Sequence, residues 1–374
     1  HRAETAYWWF DLDGALGLRR VIPGLQARRE GEIMYHWELP AAVSPDGSTL
    51  VYLDAGHRVV VCAGDGTGCR PFAPALAVSS YLAFARRGAV LVTAGDGLRV
   101  WDLRSGESRQ LYQSPVAGEL AVSPDGELVA TADRDASYIS VVTVATGEVR
   151  RLPVIARSHL TFAPAGDLLA IAAEHRVVLW DLATGATRDL PAYYPGTLVF
   201  SPDGSRLLVA EAALDLVVWN LADGTSHRVG EHRSGILMDS HADLAASDAD
   251  DGGIRVWDFA AGTGRALVGH HVAVNMVAFA PDGATLASAS DDGTVRLWDL
   301  ATGEARLLQA GEPVYGVQFH PDRRHLLTFS AGGLSIWDLG RLPPPLPHDP
   351  AALRAEMDRL TTVVLGPDNV ARTP

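Results

Sequence analysis

Hydrophobic and polar positions along the chain come in short bursts, not in long periodic stretches. One stretch illustrates the grammar. An apolar run, Val274 to Phe279, is broken by Pro281-Asp282-Gly283 and followed by a second run, Thr285 to Ala289. Asp291-Asp292-Gly293 then leads into Thr294 to Asp299, where Val295 and Leu297 alternate with Arg296 and Trp298. Ala301-Thr302-Gly303 leads into Glu304 to Leu308. Proline presets φ, aspartate bonds its own local backbone and glycine takes positive φ, so each punctuation mark is a tight turn. Apolar bursts of this length between such turns predict four short antiparallel strands in about 40 residues.

The same grammar repeats. Ser-Pro-Asp-Gly stands at Ser44 to Gly47, Ser123 to Gly126 and Ser201 to Gly204, and looser copies start at Ala85, Ala163, Ser240, Ala280 and His320. Successive starts are 41, 38, 40, 38, 39, 40 and 40 residues apart. About 17 to 18 residues after most of them comes Trp-Asp or a near match: Trp101-Asp102, Trp180-Asp181, Trp219-Asn220, Trp257-Asp258, Trp298-Asp299 and Trp337-Asp338. A four-stranded unit repeated at this period is the sequence form of a β-propeller blade.

These units resemble WD repeats, over roughly residues 5 to 340. The unit from Gly269-His270 to Trp298-Asp299 matches best. The resemblance implies a buried hydrogen-bonded tetrad of His270, Ser288 or Ser290, Asp292 and Trp298. Other units depart from the pattern: Val61 and Val142 stand where the Trp is expected, and the turn Asp is missing before Trp180, Trp219 and Trp337. Those blades must lean on apolar packing.

The expected fold is therefore all-β, a closed WD-repeat propeller of eight four-stranded blades, with seven as the alternative. The last unit, Val314 to Asp338, has no fourth strand of its own, because Pro343-Pro344-Pro345 cannot donate to a ladder. Trp9 to Val21 reads as a strand end, a turn at Asp13-Gly14 and a strand over Ala15 to Val21, which would supply the missing strand and close the ring. Residues 1–340 form the expected propeller, 341–348 a proline-rich linker, and 349–374 an extension on or beside it with a short helix. That helix would start at Asp349-Pro350 and carry Leu353, Met357 and Leu360 on one stripe.

Composition narrows the function. A net charge of −14 without a basic tract disfavours nucleic acid and favours basic peptides or proteins. No apolar run is long enough to span a bilayer; the richest, Leu168 to Trp180, is broken by Glu174, His175 and Arg176. All 31 basic side chains are arginine, a bias that fits a GC-rich bacterial source. The chain begins at His1 without methionine, as a processed product or a piece of a longer protein would.

Candidate chemistry is sparse. None of the 13 histidines falls into a metal-binding spacing, and His270-His271 belong to the Gly-His part of the repeat. Asp248, Asp250 and Asp251 before Gly252-Gly253 fail the calcium-loop pattern at its fifth position, so a blade turn explains them better. No nucleophile elbow, His-Glu-x-x-His or glycine-rich phosphate loop is present. No catalytic residue, metal or cofactor is expected. Cys62 and Cys69 flank the turn Ala63 to Gly68. Either they are thiols in a reducing cytoplasm, or they are a disulfide that places the domain outside it.

The expected binding surface is the face carrying the loops from second to third strand and from fourth strand to first. The former loops are acidic, with Asp96, Asp133, Asp135, Glu174, Glu211, Asp215, Asp248, Asp250, Asp251 and Asp291. The latter offer Arg157, Tyr193, Tyr194, His232, Arg233 and His271, and aromatic and arginine groups dominate interface energetics. The reading is a non-catalytic scaffold that binds a protein or peptide. The tail from Leu346 to Pro374 is similar to tails of WD-repeat proteins in myxobacteria and relatives, where propellers sit in multidomain signalling proteins behind a Ser/Thr kinase. Two alternatives are a hydrolase or lyase working through the central channel, and a purely structural subunit. Mostly apolar first strands, such as Leu198 to Phe200 and Val277 to Phe279, argue against the enzyme.

Overall fold

The computed structural model describes residues 18–22, 41–54, 56–75, 81–95, 97–113, 116–133, 138–155, 159–212, 215–231, 239–241, 244–248, 253–258, 261–330, 332–341, 364–365 and 371–372. Eight four-stranded antiparallel sheets follow one another along the chain as the blades of a propeller, arranged in a ring. Blade 1 is Ala41–Val43, Thr49–Leu53, Arg58–Ala63 and Arg70–Ala75; blade 7 is Val274–Phe279, Thr285–Ser290, Thr294–Asp299 and Ala305–Gln309. Blade 8 has Val314–Phe319, His325–Ser330 and Gly333–Asp338, and takes its fourth strand from Leu18–Ile22 at the other end of the chain. There Leu18 pairs with Trp337 and Ile22 with Leu334. Residues 15–17, which the sequence adds to that strand, lie outside the described residues.

The turns that separate the strands are built as their residues require. Asp46 accepts from the Ser48 amide and from the Ser44 hydroxyl, and Asp203 repeats this with Ser205 and Ser201. Gly47, Gly126, Gly204 and Gly283 follow with φ between 69° and 73°. The Trp-Asp turns use the same device: Asp299 accepts from the amides of Ala301 and Thr302.

Each blade presses both faces against neighbours, so successive residues of its second strand serve different cores. In blade 4, Leu169 and Ile171 face blade 3, while Ala170 and Ala172 face blade 5. Alanine on the second face makes room for the next blade's tryptophan: Ala287 and Ala289 of blade 7 share a core with Trp337 of blade 8. Eight such clusters join the eight successive pairs of sheets, among them one that joins blade 8 to blade 1.

The strand register corrects one assignment made from sequence. In blade 7 Leu286 pairs with Trp298, and in blade 1 the matching Leu50 pairs with Cys62, not Val61. Cys62 therefore fills the tryptophan position. Val61 is one residue off and on the opposite face. Val142, paired with Val129, does stand at that position in blade 3. The helix expected within 349–374 falls at residues outside those described; of that extension, Val364–Leu365 and Ala371–Arg372 pair as a two-stranded ladder.

Candidate functional site

The structure brings four of the family-pattern residues of blade 7 together. His270 Nδ1 lies 2.7 Å from Asp292 Oδ2 and its Nε2 lies 2.7 Å from Ser288 Oγ, while Trp298 Nε1 donates to the same Oγ at 2.9 Å. Because the indole donates to Ser288, the hydroxyl proton can go to Nε2, which leaves Nδ1–H to donate to the carboxylate. Burial alone would raise the Asp292 carboxyl. The hydrogen bonds from His270 and Thr294 outweigh it and hold the group well below the usual carboxylate range. Ser290, the other candidate, instead donates to Ala273 O and accepts from the Asp292 amide. The Asp292–His270–Ser288 relay has the order of a nucleophilic triad. Ser288 is fully buried with the indole on its oxygen, so no substrate can approach it. This is a strut.

Elsewhere the strut is partial. Thr93, Ser247 and Thr328 accept from Trp101, Trp257 and Trp337 at 2.9–3.0 Å. In blades 4 and 5 the matching positions, two residues after Leu169 and Leu207, are Ile171 and Val209. The buried indole nitrogens of Trp180 and Trp219 accordingly have no hydrogen-bond partner.

Several of the predicted surface residues meet on blades 4 and 5. Tyr193 and Tyr194 lie between the fourth strand of blade 4, Thr187–Pro191, and the first of blade 5, Pro195–Phe200. Their rings are 5.0 Å apart and perpendicular, and His175 stacks edge-on against Tyr194 at 4.6 Å. Tyr193 is 56% and Tyr194 40% exposed, large for aromatic side chains. Tyr194 holds φ at 45°, a left-handed conformation rare for an aromatic residue. The Ala212 amide, in the turn after the second strand of blade 5, points at the carbonyls of Tyr193 and Tyr194 at 3.2 and 3.3 Å, fixing the ledge to the acidic turn. Glu211 sits there half-buried, and burial raises its carboxyl above the ordinary value despite the Tyr193 amide; nearby Asp215 adds to the rise.

Other predicted residues fare differently. Asp215 is paired with Arg228, which also meets Glu231 at 2.5 Å, so its charge is compensated within the blade. His271 is exposed beside the buried His270. Asp133 and Asp248 each end a second strand, paired with Val116 and Ile254, at the same end of the sheet as Glu211. Asp96, Asp135, His232, Asp250 and Asp251 lie outside the described residues. Cys62 and Cys69 form a disulfide.

Two features escaped the sequence reading. One is His175, whose role depends on a neighbouring loop. The other is His320, Asp322 and His325 around the turn between the first two strands of blade 8, whose ligand-type atoms all lie within 4.8 Å of one another. The signal is present as His-x-Asp-x-x-His, a spacing that converges only because a tight turn folds it.

An eight-bladed propeller of antiparallel four-stranded blades, carrying an exposed aromatic ledge and a buried His-Ser-Asp-Trp strut, is the class these observations define. The family model for the WD domain, G-beta repeat, matches residues 263–299, from the last strand of blade 6 through the third of blade 7. That match and the eight-blade arrangement together support a WD-repeat propeller family for the chain. Proteins of this family typically serve as non-catalytic scaffolds that bind other proteins. No curated protein matches the chain. Among the described residues no helix is long and apolar enough to cross a membrane.

Proposed function

We propose that this propeller is a non-catalytic recruiting module that takes a basic protein or peptide segment on the face carrying Glu211 and the Tyr193–Tyr194 ledge. The carrying observation is the ledge itself: two exposed tyrosines, stacked on each other and on His175 and backed by a carboxylate whose charge is only partly solvated. An arginine laid across such a ledge gains a cation–π contact worth about 0.5–2 kcal/mol, and Glu211 can take its guanidinium. The chain's charge of −14 draws such partners in and repels acidic ones. In sequence, Asp96, Asp133, Asp135, Asp248, Asp250 and Asp251 fall in or beside the corresponding turns of other blades, which supports an acidic character for this face.

The disulfide supports action in an oxidising compartment. The similarity of the tail to those of bacterial signalling proteins supports recruitment of substrates for an attached catalytic domain such as a Ser/Thr kinase.

The test is fluorescence anisotropy with labelled arginine-rich, lysine-rich and acidic peptides at two salt concentrations. The arginine-rich peptide should bind tightest, and Tyr194→Ala with Glu211→Arg should weaken it at least tenfold, about 1.4 kcal/mol. Reversal of Asp248, Asp250 and Asp251 to Arg should weaken it further. Equal binding by the ledge variant, or preference for the acidic peptide, refutes the assignment.

A further inference from the structure

The junction between the last and first blades is built unlike the others. His320, at the end of the first strand of blade 8, sends its imidazole across to the first Pro-Asp-Gly turn of blade 1, where Nε2 meets the Gly47 carbonyl at 3.0 Å. The space is cut for that ring. A Cβ on Gly47 would lie 2.6 Å from His320 Cε1, and one on Gly64 would strike the Gly47 carbonyl and come within 3.2 Å of His320 Nε2. Since a carbonyl can only accept, Nε2 carries the proton and Nδ1 presents its lone pair.

That lone pair faces a prepared turn. Asp322 Oδ1 accepts from the amides of Arg324 and His325 at 2.8 and 2.9 Å, which fixes the carboxylate and leaves Oδ2 turned to His325 Nδ1, 2.5 Å away. His320 Nδ1 is 3.1 Å from Asp322 Oδ1 and accepts the Asp322 amide at 3.2 Å. Of the two arginines inside the motif, Arg324 turns away and closes a two-pronged pair with buried Asp338 at 2.9 and 3.0 Å. One nitrogen from each imidazole and one carboxylate oxygen therefore lie within 4.8 Å of one another, with Asp322 partly open to solvent, and a metal would take the place of the contacts that Asp322 makes with the two rings.

We infer that His320, Asp322 and His325 form a zinc-class metal site that clamps blade 8 to blade 1. Three protein ligands of nitrogen and oxygen type, with a fourth position open to water, suit Zn2+ or Co2+ better than the hard cations, which prefer oxygen alone. The Gly47 carbonyl is the outer partner that metal-binding imidazoles require, holding the ring and its tautomer. A metal on Nδ1 withdraws charge from the ring, so Nε2–H becomes a stronger donor to Gly47. Binding therefore tightens the contact between the two blades, which come from opposite ends of the repeat array.

The experiment is titration of the full, chelator-stripped chain with Co2+, followed by Zn2+. One equivalent of Co2+ should give the visible absorption of a four-coordinate ion, and Zn2+ should displace it and raise the melting temperature. Asp322→Asn and His325→Gln should each weaken Co2+ binding by at least about a hundredfold, since even an outer-shell partner is worth about 10- to 100-fold, and abolish the zinc-dependent rise in melting temperature. Hydrogen exchange of the Ala41–Ala63 segment should slow with zinc in the wild type alone. Absence of a one-equivalent Co2+ signal in the wild type overturns the inference. So does an unchanged signal in both variants, which would place the ion on other histidines. If one variant fails to fold, the other and the wild-type titration still decide.

Discussion

Trp219 offers a sharp test of how the blades are held. Its indole is buried, its nitrogen has no partner, and Val209 stands where Thr or Ser accepts from the indole in four other blades. Val209→Thr keeps the β-branched shape and exchanges one γ-methyl for a hydroxyl at a position with no exposure. Losing that buried methyl costs about 0.8 kcal/mol. A hydroxyl left unbonded there would cost about 1–3 kcal/mol more, and the orphaned indole already costs a similar amount. The bonded blades hold donor and acceptor 2.9–3.0 Å apart, so the new pair should satisfy both groups at once. The net expected gain is about 1 kcal/mol.

The decisive measurement is a double-mutant cycle by urea unfolding followed with far-ultraviolet circular dichroism. In a Trp219→Phe background the donor is gone, and Val209→Thr should then destabilise by about 2 kcal/mol. The coupling between the two sites should therefore be about 3 kcal/mol, well outside the few tenths expected of independent positions. A coupling below about 0.5 kcal/mol would refute the reasoning. It would mean that water or backbone relaxation already serves the indole.

Two further outcomes follow from the same structure. Reducing the Cys62–Cys69 bond, which closes a loop with a sequence separation of 7, should lower stability by about 2 kcal/mol. Urea midpoints with and without reductant measure this, and a Cys62→Ser, Cys69→Ser variant should be indifferent to reductant. The blade 7 strut should also be sensitive to acid. The Asp292 carboxyl is depressed in the fold, so its contribution is complete above the unfolded carboxylate value of about 3.9 and is lost as pH falls from there toward the lower folded value. Asp292→Asn should be less stable than the wild type at pH 7, and the gap should narrow below about pH 4. A gap that stays constant down to pH 2 would show that the charge is not what stabilises the strut.

The sequence carried the ring's repeat because each blade must satisfy the same local demands. Turns need Pro-Asp-Gly chemistry, and second strands need continuous apolar residues, since both faces are covered; neither depends on distant context. The N-terminal strand was legible for a different reason: blade 8 visibly lacked a fourth strand, prolines follow it, and an unassigned apolar run with a turn before it stood at the other end. What could not be read was anything set by register or by a neighbouring loop. Val61 and Cys62 are one residue apart in sequence but on opposite faces of the sheet, and only the Leu50–Cys62 pairing distinguishes them. Likewise Asp215 reads as a free loop acid until Arg228, on the adjoining strand, is placed against it.

That one-residue distinction also explains why the junction of blades 8 and 1 looks different. At three junctions a tryptophan of one blade shares a core with two alanines of the blade before it: Trp180 with Ala130 and Ala132, Trp219 with Ala170 and Ala172, and Trp337 with Ala287 and Ala289. Blade 1 offers Cys62 instead, and the matching positions of blade 8 are Leu327 and Phe329, both buried in the shared core. Volume has moved from one side of the interface to the other, which a close-packed interior requires if no cavity is to form. The exchange removes the indole that elsewhere can bond to a second-strand hydroxyl. Within blade 1 the Cys62–Cys69 bond stiffens the hairpin instead, and across the junction His320 reaches Gly47 from blade 8. The junction that joins the two ends of the repeat array thus carries an imidazole contact from blade 8, beside a blade 1 hairpin stiffened by its own disulfide, where other blades carry a tryptophan. Perturbing either should loosen it while leaving the blade 7 strut intact.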